Sequence, residues 1–469
     1  MSVSAHTRFL KMLGWEGEEL ERFLPQWIYA ANYLKLDEKD ILRGLDYWLP
    51  THWDISLLST RKLIAAYIRE VVELSKVSQY LQEGHKVIYT YPTSSHACVY
   101  ANRIAGEGRL HVFHADFLIT TINQAFFGKM TTGVDSGSCM SGHCHHCALN
   151  AARVDFSANG QMVAPTVLWS WGLQCNEASK TTEMINCLQG NEWKDVLLTI
   201  PHDAPLGSVE AEDEYRVEYL AAEIRHSQKM ISEITGIEVR DEHLREAIRG
   251  YLDYMYRLDA LTDLVVTADP QPLSGNELNL MGLCVQVCFD TGLEYINDAL
   301  DTAIEEAKAR IAQGIGVVPK GSPKLACHFQ PIHLPWLDRT FMQNGVSIAL
   351  GRIFTRAQWL EEAVDDDDVY KTAARHCLLC PNVVNMENEA EYAVKVLQQY
   401  HFDGALYGFY SYDRWVGALH KAMIRTVEEK TGIPHYYLEG EFWGSESSTY
   451  EDRLPIIRSI CNSMKISKL

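Results

Sequence analysis

The sequence predicts an α/β protein made of two parallel-sheet halves, with helices ahead of the first half and between the two. Three observations predict it. Short β-rich runs, KVIYTY (86–91), RLHVF (109–113), TVLWSW (166–171) and DVLLTI (195–200), alternate with loops and helical pieces, as strands buried under crossover helices do. A second set, KLACHF (324–329), VSIAL (346–350), GALYGFY (404–410) and HYYL (435–438), repeats that texture near the other end of the chain. Before and between the sets, apolar residues recur at helical spacing without strand-like alternation. At 469 residues the chain also exceeds one ordinary core, so several domains are expected.

In chain order, residues 1–83 read as a helical N-terminal cap. Leu57, Leu58, Leu63, Ile64, Tyr67, Ile68, Val71, Val72 and Leu74 supply its apolar stripe, and Trp15, Trp27, Trp48 and Trp53 its packing anchors. Residues 84–211 form the first α/β domain. Residues 212–320 form a helical middle segment: a stripe of Leu220, Ile224, Ile231 and Ile234 ends at Thr235-Gly236, a second carries Leu244, Ala247, Tyr251, Met255 and Leu258, and a third helix, Gly292 to Gln313, ends at Gly314. Residues 321–469 form the second α/β domain, with helices near 387–399, 416–430 and 450–465; in the last, Leu454, Ile457, Cys461 and Met464 share a face. Asp365–Asp368 reads as a solvated loop or helix start, because four adjacent carboxylates repel and do not face one point. The architecture expected is thus two flavodoxin/Rossmann-like parallel-sheet domains with a helical N-terminal extension and a helical middle layer. No strong internal sequence repeat accompanies the two strand sets.

Composition narrows the function. A hydrophobic content of 47% and a charged content of 22% are those of a soluble globular protein. The net charge of −20 argues against a nucleic-acid partner, since no surplus of cations neutralises phosphates. No run reaches the roughly 18 apolar residues that span a bilayer, so no membrane partner is expected. The first residues show neither signal nor transit peptide character, which makes the cytoplasm the expected location. Twelve cysteines in such a compartment favour metal ligation or redox chemistry over disulfides wherever they cluster.

They cluster in the arm Ser136–Cys175, which holds Cys139, Cys144, Cys147 and Cys175. The Gly/Ser/His-rich start has no period and reads as a loop. Gly172-Leu-Gln-Cys175 closes a buried strand at its carboxyl end, where open α/β sheets bind ligands. The spacing Cys139-x4-Cys144-x2-Cys147 suits an iron–sulfur centre or zinc equally, with His143, His145 and His146 as nitrogen ligands in the second case. Cys377-x2-Cys380 is a second candidate pair, between the acidic run and the helix near 387. Cys187, Cys284, Cys288 and Cys327 read as core fillers. No HExxH, Walker A or G-x-S-x-G motif occurs, and Gly314-Ile-Gly316 lacks a third glycine, so the chain is not expected to bind ATP itself.

Several stretches resemble, in order, the 2-hydroxyacyl-CoA dehydratase family, which includes the component subunits of 2-hydroxyglutaryl-CoA dehydratase and of ATP-dependent benzoyl-CoA reductase. They are MVAPTVLWSWGLQC (162–175), LLTIPHD (197–203), YLAAEIRHSQKMISEITGIEVRDEHLREAI (219–248), ARHCLLCPN (374–382), FDGALYGFYSYDRW (402–415) and TGIPHYYLEGEFW (431–443). The resemblance implies an oxygen-sensitive lyase of the hydro-lyase type, a cytoplasmic subunit of a hetero- or homodimer with a homologous second subunit. It implies an iron–sulfur cluster, [4Fe-4S] or larger, held by cysteines at strand ends, and an ATP-dependent iron–sulfur activator protein that donates one electron. An acyl-CoA substrate then loses its 2-hydroxyl through a ketyl radical; reduction of an aromatic acyl-CoA, or a double-cubane-cluster reductase, is the alternative. By motif position Cys175 is a cluster ligand and Cys144 or Cys147 the upstream one. Cys98 is a loose counterpart of an earlier cysteine in some relatives. Where many members carry a third ligand cysteine, this chain has Ser411-Tyr412-Asp413. The set is then completed by Cys139 or the second of the Cys144/Cys147 pair, by Tyr412 or Asp413 through oxygen, or by Cys377 and Cys380. A non-catalytic structural subunit, or a zinc-binding paralogue, is the competing reading. The CoA phosphates would need some of Arg153, Lys180, Arg352, Arg356 and Arg375. No catalytic side chain and no acyl group is named by these residues.

Overall fold

The structure is a computed structural model. It describes residues 4–91, 95–129, 147–172, 176–190, 193–200, 214–328, 330–351, 355–365, 367–380, 386–408, 416–440 and 450–468.

Two four-stranded sheets, all parallel, carry the fold. The first contains β1 (Lys86–Tyr91), β2 (Leu110–Phe113), β3 (Val167–Gly172) and β4 (Asp195–Thr199) in the order β2-β1-β3-β4. The second contains β5 (Lys324–Cys327), β6 (Ser347–Leu350), β7 (Gly404–Tyr407) and β8 (His435–Tyr437) in the order β6-β5-β7-β8. The two orders are the same pattern, so the chain repeats an architecture that its sequence does not visibly repeat. All eight strand readings are present: β1 spans the whole run read, β3 is displaced by one residue, and among the described residues the others end or begin one or two residues inside theirs.

Helices before the first sheet are α1 (Ala5–Met12), α2 (Gly17–Tyr33), α3 (Glu38–Arg43), α4 (Leu49–His52), α5 (Leu58–Ser75) and α6 (Val77–Gln82), with a π-helical turn, Gly44–Trp48, joining α3 to α4. Trp15, Trp27 and Trp53 are fully buried among them, as the packing reading expects. Crossovers of the first sheet are α7 (His96–Ala105), α8 (Ala115–Thr121) running into a π turn at Ile122–Phe126, α9 (Ala148–Ala158) and α10 (Asn176–Gln189). The middle segment is α11 (Glu214–Thr235), α12 (Asp241–Thr267), α13 (Gly275–Gly282) and α14 (Glu294–Gln313), the last closed by Gly314 at φ 66°, a left-handed turn that glycine adopts without strain. The second sheet adds α15 (Trp336–Gln343), α16 (Ala357–Glu362), α17 (Val369–Leu378), α18 (Met386–Tyr400), α19 (Val416–Thr431) and α20 (Tyr450–Ser467).

Strand alternation gives the first sheet two distinct faces. Val87, Tyr89, Tyr91 and Leu168 join the large core with α5, α8 and α9, whereas Ile88, Val112, Trp169, Trp171, Val196 and Leu198 form a second core with α7, α11 and α17. Helix α12 belongs to both: Leu244, Ala247 and Ile248 lie in the second core, and Tyr254, Met255, Leu258, Leu261 and Val265 in the large one with Leu325 and Ile348 of the second sheet. One long amphipathic helix therefore ties the two sheets together, as expected of a middle layer.

One reading needs correction and one helix went unread. Helix α13 has too few residues to show a period, and its capping box, Ser274 with Glu277, was the available signal. Helix α17 starts at Val369 with the Asp368 side chain as its cap, so of the two readings of the acidic run the helix start holds, and the Cys377 pair lies at that helix's C-terminal end. Cys187 is exposed on α10, whereas Cys284, Cys288 and Cys327 are buried as expected.

The α13 capping box also meets α15, where Asp338 Oδ2 accepts a hydrogen bond from the Asn276 amide at 3.4 Å. Burial, and after it the nearby Glu277 carboxylate, push the Asp338 carboxyl up to about 7. An acid held protonated by the fold withdraws stability as pH rises from its unfolded value of about 4 through its folded one. Asp338→Asn should therefore gain on the unchanged protein between pH 5 and pH 8, by up to about 3 kcal/mol. Urea unfolding at both pH values measures it, and a difference that is flat or shrinks with pH contradicts the assignment.

Candidate functional site

In a parallel sheet every strand ends at one edge, and the next helix starts there. At the carboxyl edge of the first sheet, β1 ends at Tyr91, whose hydroxyl donates to Asn150 Oδ1 at 2.5 Å. The Arg153 guanidinium, on the same helix as Asn150, lies 3.7 Å from the Tyr91 ring centroid and is almost wholly buried. Just past the end of β2 stand His114 and Asp116, both buried, with Nε2 and Oδ1 3.6 Å apart. His114 Nδ1 donates to the Gln286 carbonyl at 2.8 Å, which fixes the tautomer and turns Nε2 toward Asp116. Burial lowers the His114 pKa against the opposing pull of Asp116, and burial raises that of Asp116. Both shifts favour the neutral forms.

Cys147 is the N-cap residue of α9 and is half-buried; its carbonyl accepts the first helical bond, from Ala151 at 3.0 Å. The dipole at that helix end favours a thiolate there. Cys175 stands in the sequence immediately before Asn176, the first residue of α10, and α9 packs against α10. Cys175 itself, like Cys139, Cys144, Tyr412, Asp413 and Arg352, lies outside the described residues.

Cys377 and Cys380 arrive from the other side. Cys377 is fully buried in the second core, and half-buried Cys380 packs against the same core, whereas Cys147 packs against the large core. The two candidate groups thus approach the first sheet from opposite faces, and a single centre using both would have to sit on its carboxyl edge. Thr355, shortly after β6, donates to the Leu379 carbonyl at 3.0 Å, which ties the Cys380 turn to the carboxyl end of the second sheet. The two halves also touch where Thr121 Oγ1 at the end of α8 lies 3.0 Å from Nε2 of His333, which follows β5. Among the described residues no three or more His, Cys, Asp or Glu side chains converge on a point that could hold a metal ion.

Other sequence candidates are placed as follows. Cys98 is buried in α7, and burial pushes its thiol up to about 12, the state of an inert core cysteine. Arg356 is bound by Asp259 and Asp263, and Arg375 by Asp365 and Glu214, so their charges are already neutralised within the chain. Lys180 is exposed. Tyr91, His114, Asp116 and Asn150 were not singled out from sequence, although His114-x-Asp116 directly after an apolar run that reads as a strand is a signal that would find two of them.

The first 53 residues hold the chain just ahead of the cysteine arm and at a point within it. Before the arm, the Lys129 ammonium binds Asp40 and the Lys35 carbonyl, each at 2.5 Å, and Asn123 donates to the Leu34 carbonyl at 3.4 Å. Within it, between Cys147 and Cys175, Gln161 donates to the Tyr33 carbonyl at 2.9 Å. Gly44 permits the close approach, since a Cβ there would stand 2.5 Å from the Phe127 ring. Ala125 sits where the π turn ends, so its carbonyl has lost its helical partner; the Trp48 and Trp53 indoles both donate to it, at 3.0 and 2.8 Å.

A profile of the 2-hydroxyglutaryl-CoA dehydratase D-component matches residues 143–455, about two thirds of the chain. The chain belongs to this family. Membership supports a dehydratase-related protein. The match takes in Cys144, Cys147, Cys175, Cys377, Cys380 and Tyr412 but begins after the N-terminal helices, β1, β2 and Cys139. Among curated proteins none matches the chain significantly. Among the described residues no helix is long and apolar enough to cross a membrane.

Because Trp48 and Trp53 share one acceptor, each covers for loss of the other. Trp48→Phe or Trp53→Phe alone should cost about 1 kcal/mol of hydrogen-bond stability, and the double variant more than the two together, because a buried carbonyl is then left without a partner. Urea unfolding of the three variants checks this; strict additivity would contradict it.

Proposed function

We propose that the chain is the iron–sulfur subunit of a 2-hydroxyacyl-CoA dehydratase-like hydro-lyase, acting on a CoA thioester together with a homologous second subunit and an ATP-dependent activator. The observation that carries the reading is positional. Within the family-matched region, Cys147 caps one helix at the carboxyl edge of the first sheet and Cys175 directly precedes the next. Thiolates are the ligands that iron–sulfur clusters take, and helix N-termini lower the cost of forming them. When bound, the cluster supplies a single low-potential electron and a Lewis-acidic iron for the substrate oxygen.

The chain's own residues would do the rest. Cys147 and Cys175 hold the group, with Cys144 or Cys139 from the arm and Cys380 from the opposite face as the further donors; Tyr412 is the oxygen alternative. Buried Cys377 packs the turn that presents Cys380. Arg153, two turns deeper in α9 and held against Tyr91, keeps a positive charge behind the thiolate end of the helix. Burial shifts both His114 and Asp116 toward their neutral forms at that edge.

Protein purified without oxygen should contain iron and acid-labile sulfide in comparable amounts. Together with its partner and activator it should convert a 2-hydroxyacyl-CoA to the enoyl-CoA. Cys147→Ser or Cys175→Ser should lose most of the iron while the thermal unfolding midpoint of the metal-free protein moves little. Zinc in place of iron, or iron content unaffected by both substitutions, would overturn the proposal. Dehydration by the partner and activator without this chain would favour the structural-subunit reading.

A further inference from the structure

Where α12 passes the start of α17 there is a cavity of about 310 Å³, at the small end of the range for ligand sites. Its floor is aliphatic. Ile248 of α12 and Val369 of α17 belong to the second core, half-buried Leu252 packs against that core, and Val364, in the turn ahead of α17, lines the cavity while remaining 40% exposed. The wall on the α17 side is fixed in place. The Asp365 amide donates to Thr372 Oγ1 at 2.8 Å, the Thr372 hydroxyl donates back to the Asp365 carbonyl at 3.1 Å, and Arg375 binds the Asp365 carboxylate at 3.1 Å. A ligand entering this space would not have to order that wall first.

On the α12 side stand two guanidinium groups. Arg245 and Arg249 are four residues apart and so neighbour each other on one helix face, and both are exposed and line the cavity. Like charges at that spacing destabilise a helix. Arg245 has only a distant carboxylate, Asp241 at 3.9 Å, and Arg249 meets no hydrogen-bond or ion-pair partner among the described residues. Two carboxylates also line the cavity, but neither supplies that partner. Asp365 is held by Arg375 and by the amides of Asp367 and Asp368, and Glu242 is an exposed side chain 4.0 Å from Arg240. A guanidinium without a carboxylate, beside an aliphatic floor, suits a ligand that brings both a negative charge and a hydrocarbon chain.

We infer that this cavity binds a short aliphatic carboxylate, its head on Arg249 with Arg245 beside it, and its hydrocarbon chain on Ile248, Leu252, Val364 and Val369. None of the cysteines lines it, so the site stands whether or not the chain holds an iron–sulfur cluster.

Saturation-transfer NMR titration of the full chain with hexanoate, at fixed ionic strength, tests it; hexanamide, hexylamine and acetate are counterparts that lack the charge, reverse it or lack the chain. Hexanoate should bind saturably and more tightly than all three, with transfer strongest at its methyl end. Arg249→Met, an exposed change that leaves thermal unfolding unaltered, should weaken hexanoate about tenfold. Val364→Asp, which sets a carboxylate against the ligand, should weaken hexanoate and not hexylamine. Absence of saturable hexanoate binding, equal binding of any of the three counterparts, or full affinity in Arg249→Met would each overturn the inference.

Discussion

A parallel sheet hands every strand over to a helix at the same edge, and the rest of this structure depends on that constraint. Strand ends bring Tyr91, His114 and Gly172 to one line, and the helices that follow present their N-termini beside it. A residue that caps such a helix meets the positive end of its dipole, so a cysteine there is biased toward the thiolate. Cys147 holds such a position, and Cys175 directly precedes the next crossover helix in the sequence. Neither the arm's spacing nor its glycines produce that bias; the topology does.

Around this edge the chain devotes buried polar groups to holding backbone in place. The Ala125 carbonyl, freed by the π turn, is taken by two indoles from the N-terminal helices, while Lys129, ahead of the cysteine arm, and Gln161, within it, are fastened to residues 33–40. These helices lie outside the family match, yet they grip the segment that leads into it. Long helix α12 supplies the complementary constraint, joining the core under the first sheet to that under the second. The distance between the two carboxyl edges is therefore set by packing.

Much of this was legible in the sequence for definite reasons. Strands buried on both faces are nearly uninterrupted apolar runs, which made β1, β2, β3, β5, β6 and β7 readable, while β4, which alternates, and β8, which is half-exposed, were read from their β-rich composition. Gly236 and Gly314 marked helix ends because a left-handed turn there needs glycine. What was not legible has physical causes too. Helix α13 is too short to show a period, and the role of Asp368 as a cap depends on a backbone turn that composition does not reveal. Cys377 and Cys380 read as one motif, but the helix that carries them buries the first and half-exposes the second. Arg153, named from sequence as a candidate for the CoA phosphates, is a buried cation stacked on a tyrosine from another element. The approach of the two cysteine groups from opposite faces of one sheet follows from alternation along β1 and β3, a property of three-dimensional pairing. The family resemblance named the ligand positions, and the structure adds the helix end at Cys147.

The central claim is that the thiols of Cys147 and Cys175 share one inorganic centre. Alkylation followed by mass spectrometry, on protein prepared without oxygen and then treated with a chelator, measures this residue by residue. The account predicts that both are protected together at first and react together once the metal is removed, while exposed Cys187 reacts throughout. Free reaction of either thiol before chelation, with the other still protected, would contradict it.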